Sequence, residues 1–437
     1  IPKLKRSRKL KEYRKKKITA KEEEEILQYI EKRVAEELKI NETRKIRKIS
    51  LLIFDELFGL FELGQLLRDS ELEEIMVNSP HKEVFVFHRK FGMCKTNIIL
   101  GDKLHKIIER ISQNTKFANR SIIDVRMNNG SRANIASSRV AWNGPSLTIR
   151  KFPEERMSII DLIDNGTLSY EVAAFLWLAV EGFGIYPLNI IIAGSASSGK
   201  TTLLNSLLAF IPYWQRIISI EDVRELDLSY RENYVALEAR DSVQSNRKEK
   251  TDMLLENAIR MRPDRIIVGE VRHAEAKTLF TAMNTGQQGI LATIHANSCN
   301  DAVLRLTTSP MNVPMELMRL LDIVIFLKKE RKGIETKRFV EEIVEFDYMA
   351  GTLLSAELFS SENSKLNLDT SHIIEVIAKN TGRTKNEVKE EIMKRAKILE
   401  WMHKNKITNT REVTTIIQHY YINPREIEEL VNKLYAE

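Results

Sequence analysis

The segment NIIIAGSASSGKTTLLNSLLAF at 189–210 constrains the fold more than any other part of the chain. An apolar strand runs into a loop of small residues, and an amphipathic helix leaves it. Gly194, Gly199, Lys200 and Thr201 fit G-x-x-x-x-G-K-[ST], with Ser195, Ala196, Ser197 and Ser198 between the glycines and Thr202 after them. In such a loop successive backbone N–H groups turn inward and can cradle phosphate oxygens. The start of the helix adds unpaired N–H groups and the positive end of its dipole. Lys200 is expected to reach the β- and γ-phosphates, and Thr201 to offer its hydroxyl to Mg²⁺. An unliganded Gly/Ser turn is the competing account. Strand, glycines, Lys-Thr and helix in the right order weigh against it.

The surrounding sequence supplies the sheet that such a loop needs. From 187 to about 346, the apolar runs LNIIIAG, RIISIED, VALEA, RIIVGE, GILATIHA and LDIVIFL alternate with turns or helices. Short, near-continuous apolar strands alternating with helices predict a largely parallel α/β sheet covered on both faces. KERKGIETKRFVEEIVEFDY at 329–348 reads as an edge hairpin closing it.

Hydrolysis needs more than a cradle: a carboxylate near the metal and a group that orients water. Carboxylates just beyond the ends of such strands project into the crevice where ligands bind. RIISIEDVRE offers Glu221, Asp222 and Glu225, and PDRIIVGEVR offers Glu270. Glu270 is expected to serve the metal together with Thr201. Glu225 is the first choice for the water-orienting base, with Glu221 close behind; the residues alone do not separate them. His295 follows a third apolar strand. It could bond to the γ-phosphate region or an acidic partner, or be an ordinary structural histidine. With no His/Cys cluster at metal spacing, no zinc is expected.

Composition sets the outer limits. Hydrophobic residues are 43% and charged residues 30% of 437, ordinary for a globular chain of two or three domains. The two cysteines, Cys94 and Cys299, exclude a disulfide scaffold and suit a reducing compartment. No apolar run approaches the length of a membrane span, and none follows the basic start as a signal peptide requires. The formal charge is +7, yet residues 1–20 hold ten basic residues and one acid, so the rest of the chain is slightly acidic. The arm suits acidic lipid, nucleic acid or an acidic partner, and a solvated tail explains it equally well.

The expected organisation is a basic arm (1–20), a helical segment (21–48), an α+β domain (49–155), the nucleotide domain (156–356), a Ser/Asn-rich linker (357–371) and a helical extension (372–437). Asn129-Gly130 marks a hairpin turn in the second domain, and Asn165-Gly166 breaks two helical pieces near the interdomain joint. Asn423-Pro424 starts the last helix.

The motifs together resemble the type II/IV secretion ATPase superfamily, in its CpaF/TadA-like branch, which powers tight-adherence pili. The resemblance rests on ELEEIMVNSPHKEVFV, DVRMNNGSRANI, GPSLTIRKF, the phosphate loop, RIISIEDVREL, MRPDRIIVGEVRHAEA and NTGQQGILATIHANS, and covers most of 60–350. It implies a RecA-like P-loop domain behind an α+β N-terminal domain. It also implies ATP and Mg²⁺ as ligands, a hexameric ring and a cytoplasmic location on the inner face of the membrane. The partners it implies are an inner-membrane platform protein and, indirectly, pilin or a secreted substrate. By the same resemblance Glu225 matches the catalytic glutamate of the acidic box, Glu270 the Walker B glutamate, and His295 the second histidine of the histidine box. Arg126, Arg132 and Arg150 match basic N-domain positions that could reach the γ-phosphate or form interdomain ion pairs; Arg240 and Arg272 are weaker candidates. The family's TGH is here Thr285-Gly286-Gln287, and glutamine bonds without carrying charge.

Three other accounts remain open at this point. A conjugation or type IV secretion motor shares the same motifs. A nucleic-acid translocase gains support from the basic arm but not from the slightly acidic remainder, and nucleic acid is not the favoured partner. A noncatalytic ring subunit would rest on Gln287 alone.

Overall fold

The computed structural model describes residues 10, 13, 20–112, 121–127, 129–152, 156–239, 251–332, 335–349 and 352–435. Most of the basic arm and Arg240 lie outside these residues. The chain divides into two compact units, 1–154 and 155–437. No helix among the described residues is long and apolar enough to cross a membrane.

The first unit opens with α1 (Ala20–Leu38) and α2 (Thr43–Leu57). Ile26, Ile30 and Val34 recur at helical spacing and bury against Ile53, Phe54 and Leu57. The helical start therefore runs further than the expected 21–48. It breaks at Lys39, whose φ is 51°, and a second amphipathic pattern carries it to Leu57. After α3 (Leu63–Arg68) come β1 (Leu72–Val77), β2 (Glu83–His88), β3 (Gly92–Ile99), α4 (Lys103–Ser112), β4 (Ile122–Arg126), β5 (Arg132–Ala136) and β6 (Ser146–Arg150). They form an antiparallel sheet in the order β3-β2-β1-β6-β5-β4. Alternation buries one face on Leu104, Ile107 and Ile111 of α4. The Asn129-Gly130 turn joins β4 to β5, with Gly130 at φ 84°.

In the second unit, Ser158 caps α5 (Ile159–Asp164) with a reciprocal capping box, and Ser169 caps α6 (Tyr170–Glu181). The break between them falls at Asn165-Gly166, as the turn chemistry predicts. Then follow β7 (Ile190–Gly194), α7 (Lys200–Leu207), β8 (Ile217–Glu221), β9 (Tyr234–Glu238), α8 (Thr251–Ile259), β10 (Arg265–Val271), α9 (Glu275–Asn284), β11 (Leu291–His295) and α10 (Cys299–Thr307). The strands β12 (Ile323–Lys332), β13 (Glu335–Met349), β14 (Thr352–Ser360) and β15 (Lys365–Leu366) complete one sheet. Its order is β15-β14-β13-β12-β7-β11-β10-β8-β9, parallel from β12 to β9 and antiparallel from β12 to β15. The parallel strands are those expected from the apolar runs. The hairpin of β12 and β13 is not the edge, because β14 and β15 lie outside it. Residues 357–360, expected in a linker, belong to β14.

The four helices α11 (His372–Thr381), α12 (Lys385–Lys404), α13 (Thr410–Ile422) and α14 (Pro424–Tyr435) end the described chain. They are a layer of this unit rather than an appendage. Ile377, Ile392, Leu399 and Ile417 share one hydrophobic core with α6, α7 and one face of the sheet, and α8, α9 and α10 cover the other. Helix α6 is buried from Val172 to Glu181, as its apolar sequence requires.

Candidate functional site

Strand β7 is wholly buried and ends at Gly194 between β11 and β12. A Cβ on Gly194 would lie 2.4 Å from Ser198 Oγ and 2.7 Å from the carbonyl of Leu327, so only glycine fits there. Gly199 turns the chain into α7 with φ 100°. The loop between them exposes Ser195, Ala196 and Ser197, while Thr201 and Thr202 sit half-buried on the first turn of α7. The first N–H groups of that turn have no intrahelical partner. Ser198 Oγ is buried without a hydrogen-bond partner among the described residues. Lys200 is buried, and its Nζ donates to the carbonyls of Gly194 (3.0 Å) and Ser195 (2.8 Å). Burial pushes its ammonium down to about 8, against the opposing charge of Glu270.

Strands β10 and β11 are adjacent and bring the next groups to the same edge. His295 Nδ1 lies 3.2 Å from Lys200 Nζ, and His295 Nε2 lies 3.0 Å from Glu270 Oε1. An ammonium only donates, so Nδ1 accepts and the ring proton is left to Nε2, which approaches Glu270 Oε1 without making a hydrogen bond to it. Burial and Lys200 hold the imidazole below its ordinary value, which favours this neutral form. The other oxygen of Glu270 accepts from Arg272 Nη2 at 2.7 Å, and Asp222 lies 3.9 Å from Arg272. Lys200, His295, Glu270 and Arg272 thus cluster at one edge, joined by hydrogen bonds from Lys200 to His295 and from Arg272 to Glu270 and by the 3.0 Å approach between the two pairs.

The acidic group after β8 divides into two environments. Glu221 is buried, and its Oε1 accepts the N–H groups of Glu225 (2.8 Å) and Leu226 (2.9 Å). Burial pushes its carboxyl up to about 7, against those two bonds. Gly269 of β10 makes room for it, since a Cβ there would lie 2.9 Å from Glu221 Cγ. Glu221 therefore shapes the turn that carries Glu225. Glu225 is half-buried and adds favourable charge to both Lys200 and Arg156. Burial lowers the Arg156 guanidinium, and Glu225 is the largest charge opposing that shift.

Two residues escaped the sequence reasoning. Arg156 precedes the α5 cap, where no motif marks it. Arg338, on β13, donates from Nε to the carbonyl of Ser197 at 3.0 Å. Its only signal was the density of basic residues in the hairpin.

Gln287 is not part of this assembly. Its amide donates to the carbonyl of Asp264 at 3.2 Å, just before β10 begins. Six residue steps along the strand separate Asp264 from Glu270, about 20 Å at the usual rise. A direct influence of Gln287 on Lys200 or Glu270 in the same chain is therefore ruled out. In the first unit, Arg126 pairs in register with Arg132, and Arg132 with Arg150. The three exposed arginines form a lateral row across β4, β5 and β6. The row carries counter-charge: Asp124 lies 3.4 Å from Arg132, and Glu74 of β1 stands opposite Arg150.

Residues 65–419 match the model of the family described as type II/IV secretion system protein. An uncharacterized protein of Methanocaldococcus jannaschii is 48% identical over 244 residues, covering 54% of this chain and 33% of the relative. A second from the same organism is 36% identical over 391 residues, covering 86% of this chain and 70% of the relative. The conjugal transfer protein TrbB of Rhizobium radiobacter is 28% identical over 320 residues, covering 70% of this chain and 91% of its own length.

Proposed function

The chain belongs to the type II/IV secretion system protein family, and from that premise we propose that it is an ATP-hydrolysing motor. Its work is pilus assembly or protein secretion through an inner-membrane platform. The observation that carries this reading is the gathering of Lys200 at the start of α7 with His295 and Glu270 at the ends of β11 and β10. It couples the phosphate-loop cation to the carboxylate beside it, as a nucleotide hydrolase needs.

The residues present fit ATP and Mg²⁺. Ser198 Oγ is a buried donor with no partner among the described residues, and the loop is too close-packed at Gly194 to admit a side chain. Thr201 and Glu270 are hard oxygen donors of the kind Mg²⁺ takes alongside phosphate oxygens. When bound, Mg²⁺ neutralises negative charge on the transferred phosphoryl group. Lys200 exchanges the carbonyls of Gly194 and Ser195 for phosphate oxygens. His295 stands between the two, with Nδ1 3.2 Å from Lys200 Nζ and Nε2 3.0 Å from Glu270 Oε1. Glu225 orients the attacking water and takes its proton as the new O–P bond forms and the β,γ-bridging bond breaks, releasing ADP and phosphate.

The protein acts as a hexameric ring on the cytoplasmic face of the membrane, with tight-adherence pili as the finer assignment. A conjugation motor is the second reading, favoured by the likeness to the conjugal transfer protein over 70% of the chain.

The test compares steady-state ATP turnover in two single variants. Glu225→Gln should lose turnover by about 10²-fold, the usual worth of a positioned general base. Glu221→Gln should stay within about threefold, because glutamine's oxygen can accept the same two N–H bonds. Equal loss in both, or no turnover in the unaltered chain, would sink these assignments.

A pH dependence follows from Lys200. Below about 8 the free protein already carries the ammonium, so binding ATP takes up no proton there. Above that value a proton must be acquired on binding, and affinity should fall by up to about tenfold per pH unit. Calorimetric titrations at pH 7 and 9 in buffers of different ionisation heat would measure the uptake. Flat affinity across that range would show that Lys200 titrates elsewhere.

A further inference from the structure

The ribbon of β12 and β13 runs past the rest of the sheet. The last parallel rung joins Leu327 to Gly194, and beyond it Lys328 to Lys332 pair, among the described residues, with Glu335 to Phe339 alone. The ribbon therefore overhangs the edge where the phosphate loop begins. Alternation gives it two unlike faces. On one, Lys328 pairs with Glu341 and lies near Glu330, and Lys337 sits over the Phe339 ring. The other continues from Leu327 and Val340, which pack in the same core as Leu203 and Leu204 of α7. On this second face Lys329 stands directly opposite Arg338. Two like charges directly opposite repel unless an anion lies near.

Arg338 reaches the loop itself. Its Nε donates to the carbonyl of Ser197, and its Cδ would lie 3.7 Å from a Cβ on Gly199. Ser197 has φ 58°, an uncommon left-handed conformation for serine, and this bond helps to hold it. With Nε engaged, the forked Nη1 and Nη2 have no hydrogen bond among the described residues. Free Nη groups over a phosphate loop have one evident use, because the guanidinium fork matches phosphate oxygens in geometry and charge.

We propose that Arg338 is a further phosphate-binding residue of the loop in its own subunit, anchored by Ser197 and presenting its terminal nitrogens to the nucleotide's phosphate chain. The proposal rests on the nucleotide reading of the site and adds to it a cation far from any motif. Arg338 also tightens the loop, so binding and loop geometry depend on the same side chain.

The experiment titrates the full chain with fluorescent N-methylanthraniloyl-ATP. Lys200→Ala, Arg338→Ala, Arg338→Lys and Lys337→Ala are run beside the unaltered protein, with thermal melting on every sample. Arg338→Ala should weaken binding by about tenfold or more, the worth of a charge-assisted bond, without a lowered melting temperature. Arg338→Lys should recover part of the loss, since it keeps charge but not the fork. Lys337→Ala, on the opposite face, should bind normally. Binding by Arg338→Ala within twofold of the unaltered protein, with Lys200→Ala defective, would overturn the role of Arg338 and leave the nucleotide site standing. No binding by the unaltered protein would overturn the nucleotide reading and this proposal with it.

Discussion

A chain carrying Glu270→Gln is expected to bind nucleotide but to turn it over about 10³-fold more slowly. The carboxylate accepts from Arg272 Nη2 on one oxygen and faces His295 Nε2 on the other. Glutamine has one acceptor and one donor end, so either orientation sets its NH₂ against an existing N–H. The imidazole cannot relieve the clash by moving its proton to Nδ1, because Lys200 already donates there. The substitution also leaves Lys200 and Arg272 without their shared counter-charge and removes the carboxylate proposed for the metal. Little stability is at stake, since the Glu270 side chain is 20% exposed and sits at a strand end. Phosphate release, N-methylanthraniloyl-ATP binding and thermal melting on the same preparations separate these effects. Turnover within tenfold of the unaltered chain, with normal binding, would remove Glu270 from the chemistry.

The part of this site that was legible in the sequence is the part written in local pattern. A phosphate loop is one strand, one turn and one helix, so its residues declare one another. Glu270 and His295 each follow an apolar strand, and parallel strands deliver such residues to one edge. What local pattern cannot give is which strand ends become neighbours. The contact from Lys200 to His295 spans 95 positions, and it depends on β11 lying beside β7. Glu221 and Glu225 looked alike because they differ only in burial, which Gly269 on another strand decides. Gln287 lies eight residues before His295, but β11 runs between them and carries them to opposite edges. Arg338 was invisible for the same reason: its partner Ser197 is 141 positions away. The fold shows the same limit. Individual strands and helices were readable, but their neighbours were not, so a strand was placed in a linker and the C-terminal helices were read without the core they share. One clue was available. EVAAFLWLAVE is apolar around its whole circumference, and a helix of that kind needs cover on every side. The sheet can cover only one side, so something later in the chain had to cover the other.

Arg395→Ala tests that layer and should destabilise the second unit by about 3–5 kcal/mol, the cost of breaking a buried ion pair from one side. Arg395 lies on α12, and its side chain is only 3% exposed. Its Nη2 donates to Glu181 on α6 and its Nε to Glu391, both at 2.9 Å. Burial alone would lower its guanidinium, but Glu181 and Glu391 outweigh that and hold it above its ordinary value. The Trp177 ring lies 5.2 Å away, stacked in turn on Phe210 just beyond the phosphate-loop helix. Trp177 Nε1 donates to Tyr421, whose hydroxyl donates to the carbonyl of Phe210. Gln418 of α13 donates to the carbonyls of Ala209 and Ile211 and accepts from the N–H of Tyr213. The C-terminal helices thus hold the backbone of the segment that leaves α7, residues 209–213. Removing Arg395 leaves Glu181 as an uncompensated charge beneath them. The second unit should still melt in one transition, lowered by about 10 °C. Adding Glu181→Gln should restore part of the loss, because the stranded charge goes with it. Two separate transitions, with Arg395→Ala moving only the first, would show that residues 372–437 fold on their own. The phosphate-loop helix would then owe them nothing.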